Sequence, residues 1–258
     1  MSGNNGGGIS NRENLTIINS TISGNTAETG GGIYNFGNSA NGNFVSMVEV
    51  NNSTISGNSA REEGGGIYNN GGGVNVSSST ISENNAISGG GILNNIYATN
   101  SVYAVTINNT IISGNNGTNS DVEGNFISNG FNLIGDTTGS TGFENDLIEP
   151  DITKILDTTL ADNGGSTLTH ALVPASPAID AGNNNDVPDG ITTDQRGMGF
   201  NRIVDGNNDT IAIVDIGAFE VQQLPSTSVP EPSSILGLVG LVIIGTGSLL
   251  KRKLQNKS

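Results

Sequence analysis

Oxygen-bearing side chains alternate along one short segment of the sequence. Asp205, Asn207 and Asp209 stand at alternate positions, and calcium-binding loops present carboxylate and amide oxygens with this spacing. The segment departs from the EF-hand template, because Thr210 stands where that loop needs glycine and Ile216 where it needs a bidentate glutamate. A turn rich in Asp and Asn explains the same residues. The sequence therefore indicates either a Ca²⁺ site or a polar turn here.

Few other residues offer catalytic chemistry. His170 is the only histidine and the chain has no cysteine, so neither a nucleophilic triad nor a transition-metal site is indicated. We interpret His170 as a structural hydrogen-bonding residue, and Arg196 with Asp194 as a buried ion pair. Glycoside hydrolysis needs two facing carboxylates, and the repeats described below contain no recurring Asp pair. We expect a protein that is not an enzyme, with a β-helical polysaccharide lyase or glycoside hydrolase as the alternative.

A short motif, an apolar run and a basic cluster follow one another at the C-terminus. The motif is Val229, Pro230, Glu231 and Pro232, the apolar run extends from Ile235 to Leu250, and the cluster is Lys251, Arg252 and Lys253. As a helix the run is about 24 Å long, and the residues before it extend it enough to cross a bilayer core. Because basic clusters stay on the cytoplasmic side, the body is expected outside the membrane.

These three features resemble the PEP-CTERM sorting signal of bacterial envelope proteins. The resemblance implies an exosortase as the processing partner, with cleavage near Pro230–Pro232, so the helix holds the chain in the membrane only before cleavage. It also implies a location in the cell envelope or on the extracellular surface of a Gram-negative-type bacterium, and contact with extracellular polysaccharide. The N-terminus shows no basic and apolar leader. We therefore expect upstream sequence that encodes further repeats and a signal peptide.

The composition excludes one thick hydrophobic core and an anionic partner. The chain has 39 Gly, no Trp and only 13% charged residues, with a net charge of −15. Without the residues from position 230 onward, five basic and 23 acidic residues remain. A body this acidic repels phosphate backbones, so no nucleic acid is expected as a partner. Such a chain folds most readily when short segments stack on near-identical neighbours.

Two strings recur through the first half of the chain. The string Ser-Thr-Ile-Ser-Gly-Asn starts at Ser20 and Ser53 and returns in altered form at Ser79 and Thr110. Gly-Gly-Gly-Ile starts at positions 6, 30, 64 and 89. Between them, apolar residues alternate with polar ones, which is typical of strands with one buried face. The alternating pairs are Leu15 and Ile17, Val48 and Val50, Val74 and Val76, and Val105 and Ile107.

Short strands and Gly/Asn corners repeating about every 25 residues predict an all-β fold, a right-handed parallel β-helix solenoid. Two longer repeats must carry loop insertions. We expect two stacked columns, an inward isoleucine ladder and an asparagine ladder at a corner: Ile22, Ile55, Ile81 and Ile112, and Asn25, Asn58, Asn84 and Asn115. A disordered Gly/Asn/Ser tract is the competing interpretation. The repeats resemble those of polymorphic outer-membrane and adhesin-like β-helix proteins over about residues 2–135.

A different series of motifs follows the repeats. Its members are Phe131–Asp136, Asp162–Leu172, Ser176–Gly182, Thr193–Gly197 and Asp215–Glu220. In this order they resemble the choice-of-anchor Q domain, which implies a β-rich C-terminal cap on the solenoid. The predicted organisation is repeats in 1–118, the cap in 119–222, a linker in 223–229 and the sorting signal in 230–258. Together these features indicate an exported surface or matrix protein with an adhesive or structural role.

Overall fold

A computed structural model describes residues 5–37, 46–95 and 104–223. The recurring strings place four short strands in each of four successive coils, because apolar residues alternate within a strand and Gly or Asn turns the chain at each corner. The first two coils contain β1 Ile9–Asn11, β2 Asn14–Ile18, β3 Thr21–Ser23, β4 Thr26–Thr29, β5 Ile33–Phe36, β6 Met47–Asn51, β7 Thr54–Ser56 and β8 Ser59–Glu63. The next two contain β9 Ile67–Asn70, β10 Gly73–Ser77, β11 Thr80–Ser82, β12 Asn85–Ser88, β13 Ile92–Asn95, β14 Val105–Asn108, β15 Ile111–Ser113 and β16 Asn116–Thr118.

A partial fifth coil ends the stack. Its long first strand replaces two strands of the earlier coils, so it joins two columns of the solenoid into one ten-stranded sheet. The coil contains β17 Val122–Ser128, β18 Leu133–Ile134, β19 Ser140–Thr141 and β20 Leu147–Ile148. The other sheets have six strands, in the order β20-β18-β15-β11-β7-β3, and four strands, in the order β16-β12-β8-β4.

Strands of one coil pair in parallel with the equivalent strands of the next coil. The register is the one that the repeats predict, except in the four-stranded sheet, where it shifts within the strands. Ile22, Ile55, Ile81 and Ile112 are consecutive partners in the six-stranded sheet, and the last three are fully buried. The four alternating Leu, Val and Ile pairs also stack in register. The all-β class is confirmed, and this stacking is that of a β-helix-like solenoid. Its right-handed sense stays a prediction.

The triple-glycine corners bring neighbouring coils into close backbone contact. Gly30 has a φ of 64°, a left-handed conformation in which a side chain is disfavoured. At Gly31 a Cβ atom would lie 2.5 Å from the carbonyl oxygen of Gly65 in the next coil. Glycine is therefore needed twice at one corner, once for the turn and once for the approach of the next coil. The predicted loop insertions fall at 38–45 and 96–103, outside the described residues.

The predicted asparagine ladder is present, and it ends on a carboxylate. Each Asn Nδ2 donates to the Asn Oδ1 of the next coil at 2.9 Å, from Asn25 through Asn58 and Asn84 to Asn115. Asn115 then donates to Asp121 Oδ1 at 2.8 Å. Burial raises the pKa of Asp121 to about 6, against the hydrogen bonds from Asn115 that lower it.

A second asparagine ladder was not predicted. It runs through Asn11, Asn35, Asn69 and Asn94, with each amide donating to the next Oδ1 at 2.9 Å. Its sequence signal is the asparagine that stands two residues after each Gly-Gly-Gly-Ile string. Two columns of asparagine amides therefore flank the narrow aliphatic core. Their side chains hydrogen-bond one another from coil to coil, so the polar groups buried beside the core have partners.

Candidate functional site

The segment after residue 150 folds back along the outside of the six-stranded sheet. The sequence predicts a β-rich cap over residues 119–222 at the end of the solenoid. The first part of that range, β17–β20, continues the stack as the fifth coil. Residues 151–223 instead contain two short 3-10 turns, Ile152–Lys154 and Asn184–Asp186, and pairing limited to isolated antiparallel bridges. The segment packs along the six-stranded sheet because the outward side chains of that sheet offer hydroxyl groups and apolar surface.

Outward threonines form the contact in the first three coils. Thr21, Thr54 and Thr80 are consecutive partners in the sheet. Thr21 donates to the carbonyl oxygen of Leu168 at 2.6 Å, and Thr80 accepts from the backbone amide of Ala218 at 3.0 Å. In the last two coils, Ile111 and Leu133 replace threonine at this position. They pack against apolar residues of the folded-back segment, namely Ile155, Leu156, Ala178 and Ile216.

Gln195, within the Thr193–Gly197 motif, joins two coils to the folded-back segment. Its Oε1 accepts from Thr54 Oγ1. Its Nε2 donates to Thr21 Oγ1 at 2.8 Å and to Thr167 Oγ1 at 3.0 Å. Gln195 is 1% exposed and Thr54 is fully buried, whereas Thr21 and Thr167 are half-buried. The motif therefore acts in this structure as an attachment point.

His170 has the structural role that the sequence predicts. Its Nδ1 lies 2.8 Å from the carbonyl oxygen of Asp157, and its Nε2 lies 2.8 Å from Ser56 Oγ. Because a carbonyl oxygen only accepts, Nδ1 carries the proton and the neutral ring accepts from Ser56 through Nε2. Burial lowers the pKa of His170, which favours this neutral form.

Arg196 and Asp194 form the predicted buried ion pair. Arg196 Nη2 lies 2.6 Å from Asp194 Oδ2, and their side chains are 5% and 0% exposed. The guanidinium group also lies between two aromatic rings, 3.9 Å from the centroid of Phe200 and 3.8 Å from that of Phe219. The opposite charge and the two ring faces compensate for the lost hydration of the cation.

A second buried arginine was not anticipated. Arg202 is 1% exposed and donates to the carbonyl oxygens of Asp215 and Gly217 at 3.0 and 2.6 Å. Its Nη1 lies 3.6 Å from Glu220 Oε2. Burial raises the pKa of Glu220, and Arg202 opposes that rise; burial also raises the pKa of Asp215, to about 6. The last motif, Asp215–Glu220, is thereby fastened to the chain around residues 194–204.

The candidate calcium ligands lie together in one exposed turn. The carboxylate of Asp205 accepts from the backbone amides of Asp209 and Thr210 at 3.1 and 2.8 Å. Asn207 Oδ1 accepts from Asp209 N, and Asp209 Oδ1 accepts from Ile211 N, both at 2.8 Å. These oxygens therefore have backbone donors. Within the described ranges, no group of three or more His, Cys, Asp or Glu side chains is arranged to hold a metal ion. Ca²⁺ binding stays a prediction.

One carboxylate pair has the contrasting environments that acid–base chemistry uses. Burial raises the pKa of Asp121, whereas hydrogen bonds from Thr138 lower the pKa of Asp136. However, Asp121 is only 3% exposed, and its Oδ1 already accepts from both the backbone amide and Nδ2 of Asn115. Asp121 is therefore the buried end of the asparagine ladder, whereas Asp136 is half-buried.

The C-terminal features lie outside the described residues. They are the motif Val229–Pro232, the apolar run that was predicted to cross the membrane, and the basic cluster Lys251–Lys253. Among the residues that the structure does describe, no helix is long and apolar enough to span a membrane.

The family model of the PEP-CTERM protein-sorting motif matches residues 228–253. This match includes the Pro-Glu-Pro motif, the apolar run and the basic cluster that the sequence singled out. The chain is thus an exported protein of the Gram-negative cell envelope that an exosortase processes. No curated protein and no solved structure has significant similarity to the chain.

Proposed function

We propose that the chain is a non-enzymatic protein of the cell surface or extracellular matrix, with an adhesive or structural role. The observation that carries this proposal is the solenoid, which is covered on one side and presents a regular polar face on another. On the ten-stranded sheet, Thr16, Glu49, Asn75 and Thr106 are consecutive partners in the first four coils, and the exposed Ile127 follows them in the fifth. Successive coils repeat about every 4.8 Å, so hydrogen-bonding groups extend along the axis as they would for contact with a long polymer.

The charge supports a neutral partner. The body retains five basic and 23 acidic residues once the chain from position 230 onward is removed. Like charges facing each other across an interface oppose association. Extracellular polysaccharide without acidic groups is therefore the favoured contact, and uronic acid polymers are disfavoured.

Processing is tested by changing the motif in a Gram-negative host that has an exosortase. The full chain is expressed behind a secretion signal, and Pro230→Ala and Glu231→Ala are compared with the control Pro225→Ala, which lies in the linker. We expect mass spectrometry to find a C-terminus near Pro230–Pro232 in the wild type and the control, and an unprocessed chain in the motif variants. Equal processing of all variants would contradict the assignment of the motif.

The surface role is tested separately from processing. Cells that produce the chain are compared with cells that lack it for retention of the protein in washed matrix and for attachment to glycan-coated surfaces. The purified full chain is also incubated with polygalacturonate and alginate. New reducing ends or unsaturated products would favour the alternative, a polysaccharide lyase or glycoside hydrolase, and would overturn the non-enzymatic role.

A further inference from the structure

One corner of the solenoid departs from its own repeat. Two residues before the outward position of the six-stranded sheet, the chain takes a left-handed conformation in every coil. The φ angles there lie between 47° and 57°, at Asn19, Asn52, Ser78, Asn109 and Phe131. Asparagine tolerates this conformation, whereas a bulky aromatic residue rarely adopts it. The fifth coil thus carries phenylalanine where the others carry small polar residues.

The same column also differs in what its members contact. Asn52 Nδ2 donates to the carbonyl oxygen of Thr193 at 3.0 Å. Asn109 exchanges two hydrogen bonds with the backbone of Asn183, at 2.9 and 2.8 Å. Phe131 cannot make such bonds, and it is 46% exposed. Neither the backbone conformation nor core packing therefore accounts for an aromatic ring at this position, and such a strained exception points to a function.

Phe131 lines a groove of about 610 Å³ at the fifth coil. Exposed side chains of Asn129, Glu144, Asn145 and Leu147 line the groove with it. This volume is within the range of roughly 300–1,000 Å³ that small-ligand sites occupy. The groove thus combines apolar surface with two amides and one carboxylate, which suits a ligand that has both a hydrophobic face and many hydroxyl groups.

We propose that the groove around Phe131 binds a short stretch of neutral hexopyranose polysaccharide. The ring would pack against the C–H face of a sugar, while Asn129, Asn145 and Glu144 would bond its hydroxyl groups. Among the described residues that line the groove there is no Lys, Arg or His to balance Glu144, which disfavours acidic sugars. This inference rests on the proposed contact with matrix polysaccharide and assigns that contact to one site.

The test uses the purified full chain and calorimetric titration with defined tetrasaccharides. The probes are β-1,4-glucan, β-1,4-mannan and β-1,3-glucan tetrasaccharides, with tetragalacturonate as the acidic comparison. The main variant is Phe131→Asn, which introduces the residue that stands here in three of the other four coils. The control is Ile87→Asn, which replaces another exposed apolar residue, on the four-stranded sheet.

We expect the wild type and the control to bind at least one neutral tetrasaccharide and to bind tetragalacturonate at least tenfold more weakly. Phe131→Asn should lose at least tenfold in affinity and yet melt at an equal or higher temperature, because asparagine suits the left-handed corner. Equal binding by Phe131→Asn, or a clear fall in its melting temperature, would overturn the assignment. The matrix-retention assay is scored independently, so loss of the groove would leave the surface role standing.

Discussion

Asn84 stands in the middle of the predicted ladder and connects three coils. Its Nδ2 donates to Asn115 Oδ1 at 2.9 Å and to the carbonyl oxygens of Ile55 and Ser82 at 3.0 and 3.1 Å. Its Oδ1 accepts from both the backbone amide and Nδ2 of Asn58, at 3.0 and 2.9 Å. The residue is fully buried, so water cannot replace these partners. We therefore expect Asn84→Ala to be strongly destabilising.

The magnitude follows from the groups that the substitution leaves without partners. Removal of the side chain leaves the buried amide of Asn58 without its acceptor and the carbonyl oxygen of Ile55 without this donor. Each buried polar group left unpaired costs about 1–3 kcal/mol. We expect the free energy of unfolding to fall by about 3–5 kcal/mol for Asn84→Ala, a large part of the stability of a typical domain.

The neighbouring residue supplies a matched control. Asn85 is exposed, and its hydrogen bonds to Ser59 and Asn116 lie at the surface, so Asn85→Ala should change the free energy by no more than about 0.5 kcal/mol. Urea unfolding followed by far-ultraviolet circular dichroism measures both. Asn84→Asp should be worse than alanine at neutral pH and recover as the pH falls, because the protonated acid can donate one bond. If Asn84→Ala and Asn85→Ala unfold alike, the ladder does not stabilise the fold.

Three further perturbations test the rest of the structure. Burial raises the pKa of Asp121 from 3.8 to about 6, so folding disfavours its charged form. As the pH rises from 4 to above 6, the free energy of unfolding of the wild type should fall by up to about 3 kcal/mol relative to that of Asp121→Asn. Urea unfolding at each pH measures this difference. Arg202→Met should cost about 3–5 kcal/mol by leaving Glu220 without its counter-charge, and adding Glu220→Gln should restore part of it in a double-mutant cycle. If Ca²⁺ binds at Asp205, the melting temperature should be lower in EDTA than in Ca²⁺. Equal melting temperatures in Ca²⁺ and in EDTA would reject the predicted calcium site.

The repeats made the solenoid predictable because one physical rule applies in every coil. Strands that stack in parallel place equivalent residues one above another, so Ile55 and Ile81 had to share the core, and Asn58 and Asn84 a corner. The second ladder, through Asn35, follows the same rule and could have been found from the asparagine after Gly-Gly-Gly-Ile. What limits such reasoning is the need for a repeating unit.

The folded-back segment has no such repeat, and its position could not be predicted. In the sequence, Thr54 has the pattern of any strand residue, yet its hydroxyl group donates a hydrogen bond to Gln195, which lies 141 positions later. The change from threonine to Ile111 at the outward position was visible in the repeat, but only the packed structure shows what covers it. The ion pair of Arg196 with Asp194 was predictable because both residues stand in one motif, whereas Arg202 meets Glu220 from separate parts of the chain.

These sequence separations also indicate how the fold is assembled. Hydrogen bonds between neighbouring coils span 22 residues from Thr110 to Asn132 and 38 from Asn35 to Gly73, whereas Gln195 reaches Thr21 across 174. Contacts across long separations require more loop closure and form late unless other contacts bring their ends together. We therefore expect the coils to stack first, because the outward threonines then lie in one row and give the folded-back segment a surface to bind. The segment is thus both the least repetitive part of the body and the part that depends most on the repeats beneath it.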